Sequence, residues 1–252
     1  MTFRLYATFF LLLLLTQRST YAQARDSASV LPAVLSFHDL YQQLRDGLVD
    51  TTLARVKVRK LLDEIGTYYL EQRSPKPEDT TLYFPVQGYG IQMIGGKNGS
   101  DYVPGKYNFY NTFGNRSHPA HDIFVNDKNQ DCMDDNRNQP IKIFAVTPGI
   151  VVSTEHCWDT TMNTRGGNYI YIYEPLSKMM YYYAHNTVLF VDIGQVVEAG
   201  QTIAYMGRTG LNAYKKRSPT HLHFSMLQFR QDGTAHPVKG YKYLRRAKQK
   251  DN

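Results

Sequence analysis

The stretch Y-Y-Y-A-H-N-T-V-L-F-V-D-I-G-Q-V-V-E-A-G-Q-T-I-A-Y-M-G-R-T-G, residues 181–210, decides how the chain is read. Short runs of tyrosine, valine and isoleucine alternate with glycines at 194, 200, 207 and 210. β-branched and aromatic residues suit a pleated, half-buried surface, and glycines at this spacing mark tight turns between short strands. The same texture continues outward through IKIFAV (141–146), GIVVST (149–154), NYIYIYE (168–174) and MMYYYAH (179–185). Pro148–Gly149 and Gly166–Gly167 read as further turns. Residues 81–240 are therefore expected to form a mainly antiparallel β domain.

The residues before that domain read differently. Leu40, Tyr41, Leu44 and Leu48 recur at helical spacing, as do Leu61, Leu62, Ile65, Tyr68 and Tyr69. Gly47 and the DTT at 50–52 break the pattern, so 36–72 reads as two short amphipathic helices with Ser36 and Asp39 capping the first. They are expected to pack against the β domain. RSPKPED (73–79) reads as a linker, closing a helical segment that spans 25–80. The basic tail, within 241–252, reads as frayed.

At the N-terminus, Arg4 precedes an apolar run at 5–16, and small residues follow at Ala22 and Ala24. That is the pattern of a cleaved signal peptide over residues 1–24, placing the protein in the periplasm or outside the cell. The run is too short for a comfortable membrane span, so no stable membrane insertion is expected after cleavage. Loss of Arg4 and Arg18 lowers the formal charge of the whole chain, +7, by two. A mildly basic exported chain can approach an acidic wall polymer. No nucleic-acid-binding motif is present. In an oxidising compartment Cys132 and Cys157 read as a disulfide that would stabilise the fold by about 3–4 kcal/mol.

Five of the eight histidines fall in three segments: R-S-H-P-A-H-D-I-F-V (116–125), the His185 strand, and T-H-L-H-F-S-M (220–226). In a strand, His221 and His223 point the same way, about 7 Å apart. Zinc accepts imidazole and carboxylate, and three protein ligands leave a position for water. His118, Asp122 and His223 make such a set, and His185 with His221 remain as groups able to move protons near neutral pH. The segments are far apart in the chain, so spacing alone does not bring them together.

Taken in order, these motifs resemble the M23 peptidases, the LytM or lysostaphin-type endopeptidases. Their pattern is H-x-G-x-D, a tyrosine-rich strand ending in histidine, a stretch like G-Q-x-V-x-A-G-Q-x-I, then H-L-H-F. The resemblance runs from about Arg116 to Met226. It implies an antiparallel sheet with the metal in a groove, zinc on His118, Asp122 and His223, and His185 with His221 as the catalytic pair. It also implies peptide bonds of peptidoglycan as substrate, in stem-peptide cross-links or glycine bridges; stem cross-links are expected ahead of glycine bridges because no stretch resembles a wall-targeting module, and a monomer is expected. Ala120 and His121 depart from the pattern, and His121 competes with His118 for the ligand role. Degenerate relatives bind wall or activate another hydrolase, which is the alternative reading. A lipoyl-type carrier hairpin would need a lysine near Val197–Ala199, and none stands there. Segments before such domains sometimes cover the groove, which makes 25–72 a candidate inhibitor. One motif lies outside this reading. NDKNQDCMDDN (126–136) alternates acids like the start of a calcium loop, making 127–135 a candidate calcium site.

Overall fold

The computed structural model describes residues 32–111 and 117–250. The signal-peptide reading lies outside them. Nine strands form one sheet: β1 (His121–Phe124), β2 (Lys142–Phe144), β3 (Gly149–Glu155), β4 (Asn168–Glu174), β5 (Met179–Leu189), β6 (Val196–Val197), β7 (Thr202–Met206), β8 (His221–Phe229) and β9 (Ala235–Pro237). Their order is β1-β8-β5-β4-β3-β6, with β7 pairing β5 and β2, and β9 pairing β8. Every strand pair is antiparallel. The fold is the mainly antiparallel sheet expected from the glycine-punctuated runs, preceded by a helical segment.

Strand alternation sorts the side chains onto two faces. Ile123, Ile170, Ile172, Tyr181, Tyr183, Leu222 and Phe224 turn inward to one apolar core. Their neighbours in sequence, among them Asp122, Tyr171, Tyr182 and His223, take the opposite face, and that second face carries the histidines.

Two helices cover its far end. In α1 (Pro32–Arg45), Val34, Phe37, Tyr41 and Leu44 are buried, a helical stripe. In α2 (Thr51–Gln72), Ala54, Val58, Leu62, Ile65 and Tyr69 do the same, and Asp50 caps the start by accepting the Leu53 N–H at 2.8 Å. The first helix begins at Pro32, ahead of Ser36 and Asp39, so those two do not cap it. Leu48 is 73% exposed. It lies past the helix end, where Gly47 at φ 71 closes the turn and Leu48 N–H reaches Gln43 O at 2.8 Å. The stripe crossed a helix terminus, which apolar periodicity cannot register. The contact between α1 and the sheet is partly polar. His38 Nδ1 lies 2.9 Å from Ser153 Oγ, and Gln42 donates to the Tyr169 hydroxyl at 3.0 Å.

Two local expectations are corrected, and the 73–79 linker is an anchored one. The 73–79 stretch is pinned: Arg73, 7% exposed, pairs with Asp79 at 2.5 Å and Glu198 at 2.6 Å. The tail is not frayed over its described residues. A third helix, α3 (Tyr241–Leu244), buries Leu244, and Lys248 exchanges hydrogen bonds with Leu82 and Phe84 at 2.8 Å each. Cys132 and Cys157 are both free thiols. No described helix is long and apolar enough to cross a membrane.

The Arg73 cluster carries a stability prediction. Hydrogen bonds from Arg73 hold the Asp79 and Glu198 carboxyls below their usual range. Depressed carboxyls stabilise the fold above their unfolded values, about pH 4, and that contribution fades as pH falls through the folded values. Arg73→Ala should cost about 2 kcal/mol at pH 7 and less than 1 kcal/mol near pH 3, after allowing for the half-exposed Glu198. Urea unfolding at the two pH values checks it, and an equal cost at both contradicts it.

Candidate active site

The five residues singled out from the sequence meet in one groove of about 420 Å³. Asp122 sits on β1 directly opposite His223 on β8, and Phe124 sits opposite His221. Cross-strand partners share a face, so register alone brings Asp122, His221 and His223 together. His118 joins from just before β1, where it bridges Val103 through backbone hydrogen bonds of 2.6 and 2.8 Å.

His185 arrives by an irregularity. On a regular strand it would follow Tyr183 to the core side. Instead β5 carries one extra residue against β4: Asn168 pairs with Asn186 and Tyr169 with Ala184. His185 is that bulged residue, at φ 70, and its ring turns to the groove. Its N–H is held by Gly166 O at 2.9 Å and its Nδ1 donates to Thr209 O at 2.8 Å. Gly167 and Gly210 make that packing possible. A Cβ on Gly167 would lie 2.3 Å from the Thr209 carbonyl carbon, and one on Gly210 would lie 2.3 Å from Arg165 O.

The distances within the cluster are short. His118 Nε2 lies 3.2 Å and His223 Nδ1 3.0 Å from Asp122 Oδ1, and His221 Nε2 lies 3.8 Å from Oδ2. The ligand-capable atoms of His118, Asp122 and His223 all fall within 4.8 Å of one another, the arrangement that could hold a metal ion. Their side chains are 33%, 21% and 21% exposed, so an approaching molecule can reach them. Carbonyl groups set the imidazole tautomers, because a carbonyl can only accept. Asp101 O takes the His118 Nδ1 proton at 3.0 Å, and Pro219 O takes that of His221 at 2.7 Å. With Thr209 O on His185, two rings, His185 and His221, carry an unprotonated Nε2, while His118 Nε2 faces Asp122 Oδ1.

The electrostatics follow from packing. Burial pushes the Asp122 carboxyl up, but hydrogen bonds from His118 and His223 outweigh it and keep it well below the usual carboxylate range. His118 is raised by its bond to Asp122. Burial, then the neighbouring His221 and His223, push His185 down to about 3. Burial likewise lowers His221. Both are neutral at pH 7, with Nε2 lone pairs available.

His121 stands apart. It pairs with Phe224 on the core side of β1, is 2% exposed, and accepts the Tyr241 N–H through Nε2 at 3.1 Å. Burial, then Lys239, pushes it down to about 4. Strand alternation thus separates it from Asp122, its immediate neighbour.

Residues 131–237 match the model of peptidase family M23. That stretch of the chain is similar to the M23 peptidases. The chain is also similar to the catalytic domain of lysostaphin from Staphylococcus simulans, at 23% identity over 64% of this chain and 92% of that one, with a TM-score of 0.38. A putative glycyl-glycine endopeptidase lytM from Ruminococcus gnavus matches at 20% identity over 82% and 95%, TM-score 0.45. A zinc-containing peptidase from Vibrio cholerae matches at 20% over 68% of this chain and 41% of that one, TM-score 0.38. The family match takes in His185, His221 and His223 but begins after His118 and Asp122, which only the fold brings to the site.

Calcium at the acidic loop finds no support: among the described residues the cluster that could hold a metal ion is His118, Asp122 and His223. Asp127 accepts the N–H groups of Asp131 and Cys132 and the Thr220 hydroxyl, at 3.0, 3.0 and 2.6 Å. Asp134 accepts from the Tyr89 hydroxyl and from Asn136 and Arg137. Carboxylates engaged this way point at separate donors. The Asp127–Thr220 bond instead steadies the chain just before His221.

Sequence reasoning missed the carbonyl partners Asp101, Thr209 and Pro219, because a backbone acceptor has no residue signature. It also read Gly166–Gly167 and Gly210 only as turns. At one end of the groove, Tyr41 of α1 stands with Tyr107, Tyr171 and Tyr182, so the helical segment forms part of the groove wall.

Proposed function

We propose that the protein is a secreted zinc metalloendopeptidase that hydrolyses peptide bonds in bacterial peptidoglycan. The observation that carries this reading is the meeting, in one open groove, of a His-Asp-His set with two further imidazoles whose proton positions are fixed. Two imidazoles and one carboxylate are a donor set that zinc favours, and with His118 Nδ1 committed to Asp101 O, its Nε2 beside Asp122 is the atom a metal would take. When bound by His118, Asp122 and His223, zinc supplies positive charge that polarises an amide carbonyl and acidifies water. His185 and His221, with ring centroids 4.9 Å apart, hold the proton inventory. One Nε2 can take a proton from the attacking water. The other, once protonated, can donate to the oxygen that gains charge or to the departing nitrogen. The Thr209 and Pro219 carbonyls keep both rings oriented through these transfers.

Stem-peptide cross-links are the expected bond, ahead of glycine bridges. Tyr107, Tyr171 and Tyr182 give the groove aromatic walls, which a peptide with side chains can contact and polyglycine cannot. The leader pattern supports export, and the protein is read as a monomer. The alternative is a wall-binding protein or activator of another hydrolase. Digestion of purified peptidoglycan, with fragments identified by mass spectrometry, separates the two. Cross-linked fragments should fall to monomers with the metal-loaded protein and survive with chelated protein. Intact cross-links in every wall type, with metal bound, would favour the alternative.

A further inference from the structure

Arg165 lines the groove next to Gly166, the residue that holds the His185 backbone. It is exposed, and its guanidinium has no hydrogen bond or ion pair with any described residue. Two more cations gather on this wall. Lys215 and Arg217 each reach Asn212 Oδ1, at 3.4 and 3.5 Å, and Asn212 also lines the groove. Among the described lining residues the sole carboxylate is Asp122, and it is engaged by three histidines. One wall therefore presents positive charge, with no carboxylate facing it among the described lining residues apart from the engaged Asp122. A guanidinium is a planar fork matched to a carboxylate, and a groove edge focuses its field on whatever binds there.

We infer that Arg165 is a specificity residue that selects peptides bearing a free carboxylate on the His185 side of the scissile bond, with Lys215 and Arg217 strengthening the field. The inference rests on the peptidase reading of the groove. A neutral peptide gains nothing from this wall, and a cationic one is repelled by it.

The test uses two cross-linked stem peptides that differ only in one carboxyl group beside the scissile bond, free in one and amidated in the other. The full-length protein, metal-loaded, should cleave the free acid with about tenfold higher kcat/KM, the difference lying in KM. Arg165→Gln should bring the ratio between the peptides near one, and Arg165→Lys should restore part of it. Calorimetric binding of the same pair supplies a reading that does not need turnover. Equal rates and equal affinities for the two peptides overturn the inference, as does a ratio that survives Arg165→Gln. If neither peptide is cut but the acid binds about tenfold tighter through Arg165, the inference stands and the peptidase reading falls. Polyphosphate displacing both peptides alike, with no preference between them, assigns the wall to an anionic polymer and overturns it.

Discussion

His223→Ala is expected to remove bound zinc and to lower kcat/KM by about a thousandfold or more, while His121→Gln keeps its zinc. An open site has three protein ligands, and losing one leaves the metal both loosely held and misplaced. His223 is the central member. Its Nδ1 lies 3.0 Å from Asp122, and its ring centroid is 4.9 Å from that of His118. His121 is adjacent to Asp122 in the chain but faces the core, where its Nε2 holds the Tyr241 N–H. His121→Gln should therefore cost stability, about 1–2 kcal/mol for the disturbed buried hydrogen bond, with metal content near one per chain. Elemental analysis of the purified variants, beside His118→Ala, reads the outcome. Zinc retained by His118→Ala and lost by His121→Gln would reverse the ligand assignment.

Gly167→Ala should be the most damaging small substitution away from the titratable groups. Gly167 sits at φ 62, where a side chain costs about 1–2 kcal/mol, and the added Cβ would meet backbone atoms of Thr209 and Gly210 at 2.3 and 2.4 Å. Backbone cannot swing aside as a flexible side chain can, so the two segments must separate, for a further cost of about 1–3 kcal/mol. A total near 3 kcal/mol lowers Tm by about 6–12 °C in a chain of this size. The segment forced to move carries the Thr209 carbonyl that orients His185. A shift of about 1 Å there should reduce kcat by about a hundredfold in the fraction that stays folded. Thermal unfolding together with kcat on the folded variant checks both parts. A normal Tm with normal kcat would mean that the His185 bulge does not depend on this close approach.

The sequence by itself determined the features that repeat over a few residues. The alternation in THLHFSM is enough to put His221 and His223 on one face, because side chains in any strand alternate. The same alternation in NYIYIYE divides the isoleucines from the tyrosines, and the stripes of 32–45 and 51–72 make helices whose apolar sides need cover. Tertiary structure decided what depends on distant pairing. The opposition of Asp122 and His223 is a register between segments 101 residues apart. The groove-facing turn of His185 requires the extra residue that β5 carries against β4, which no local pattern in YYYAHN encodes. The choice between His118 and His121 needed to know which side of β1 faces the core. The acidic loop satisfied its own carboxylates with backbone N–H groups, and the tail docked Lys248 beside Leu82 and Phe84. Side-chain periodicity is a property of one strand or helix. Register, bulges and the docking of a terminus are set by the whole sheet closing over its core, and those are the features that assemble the site.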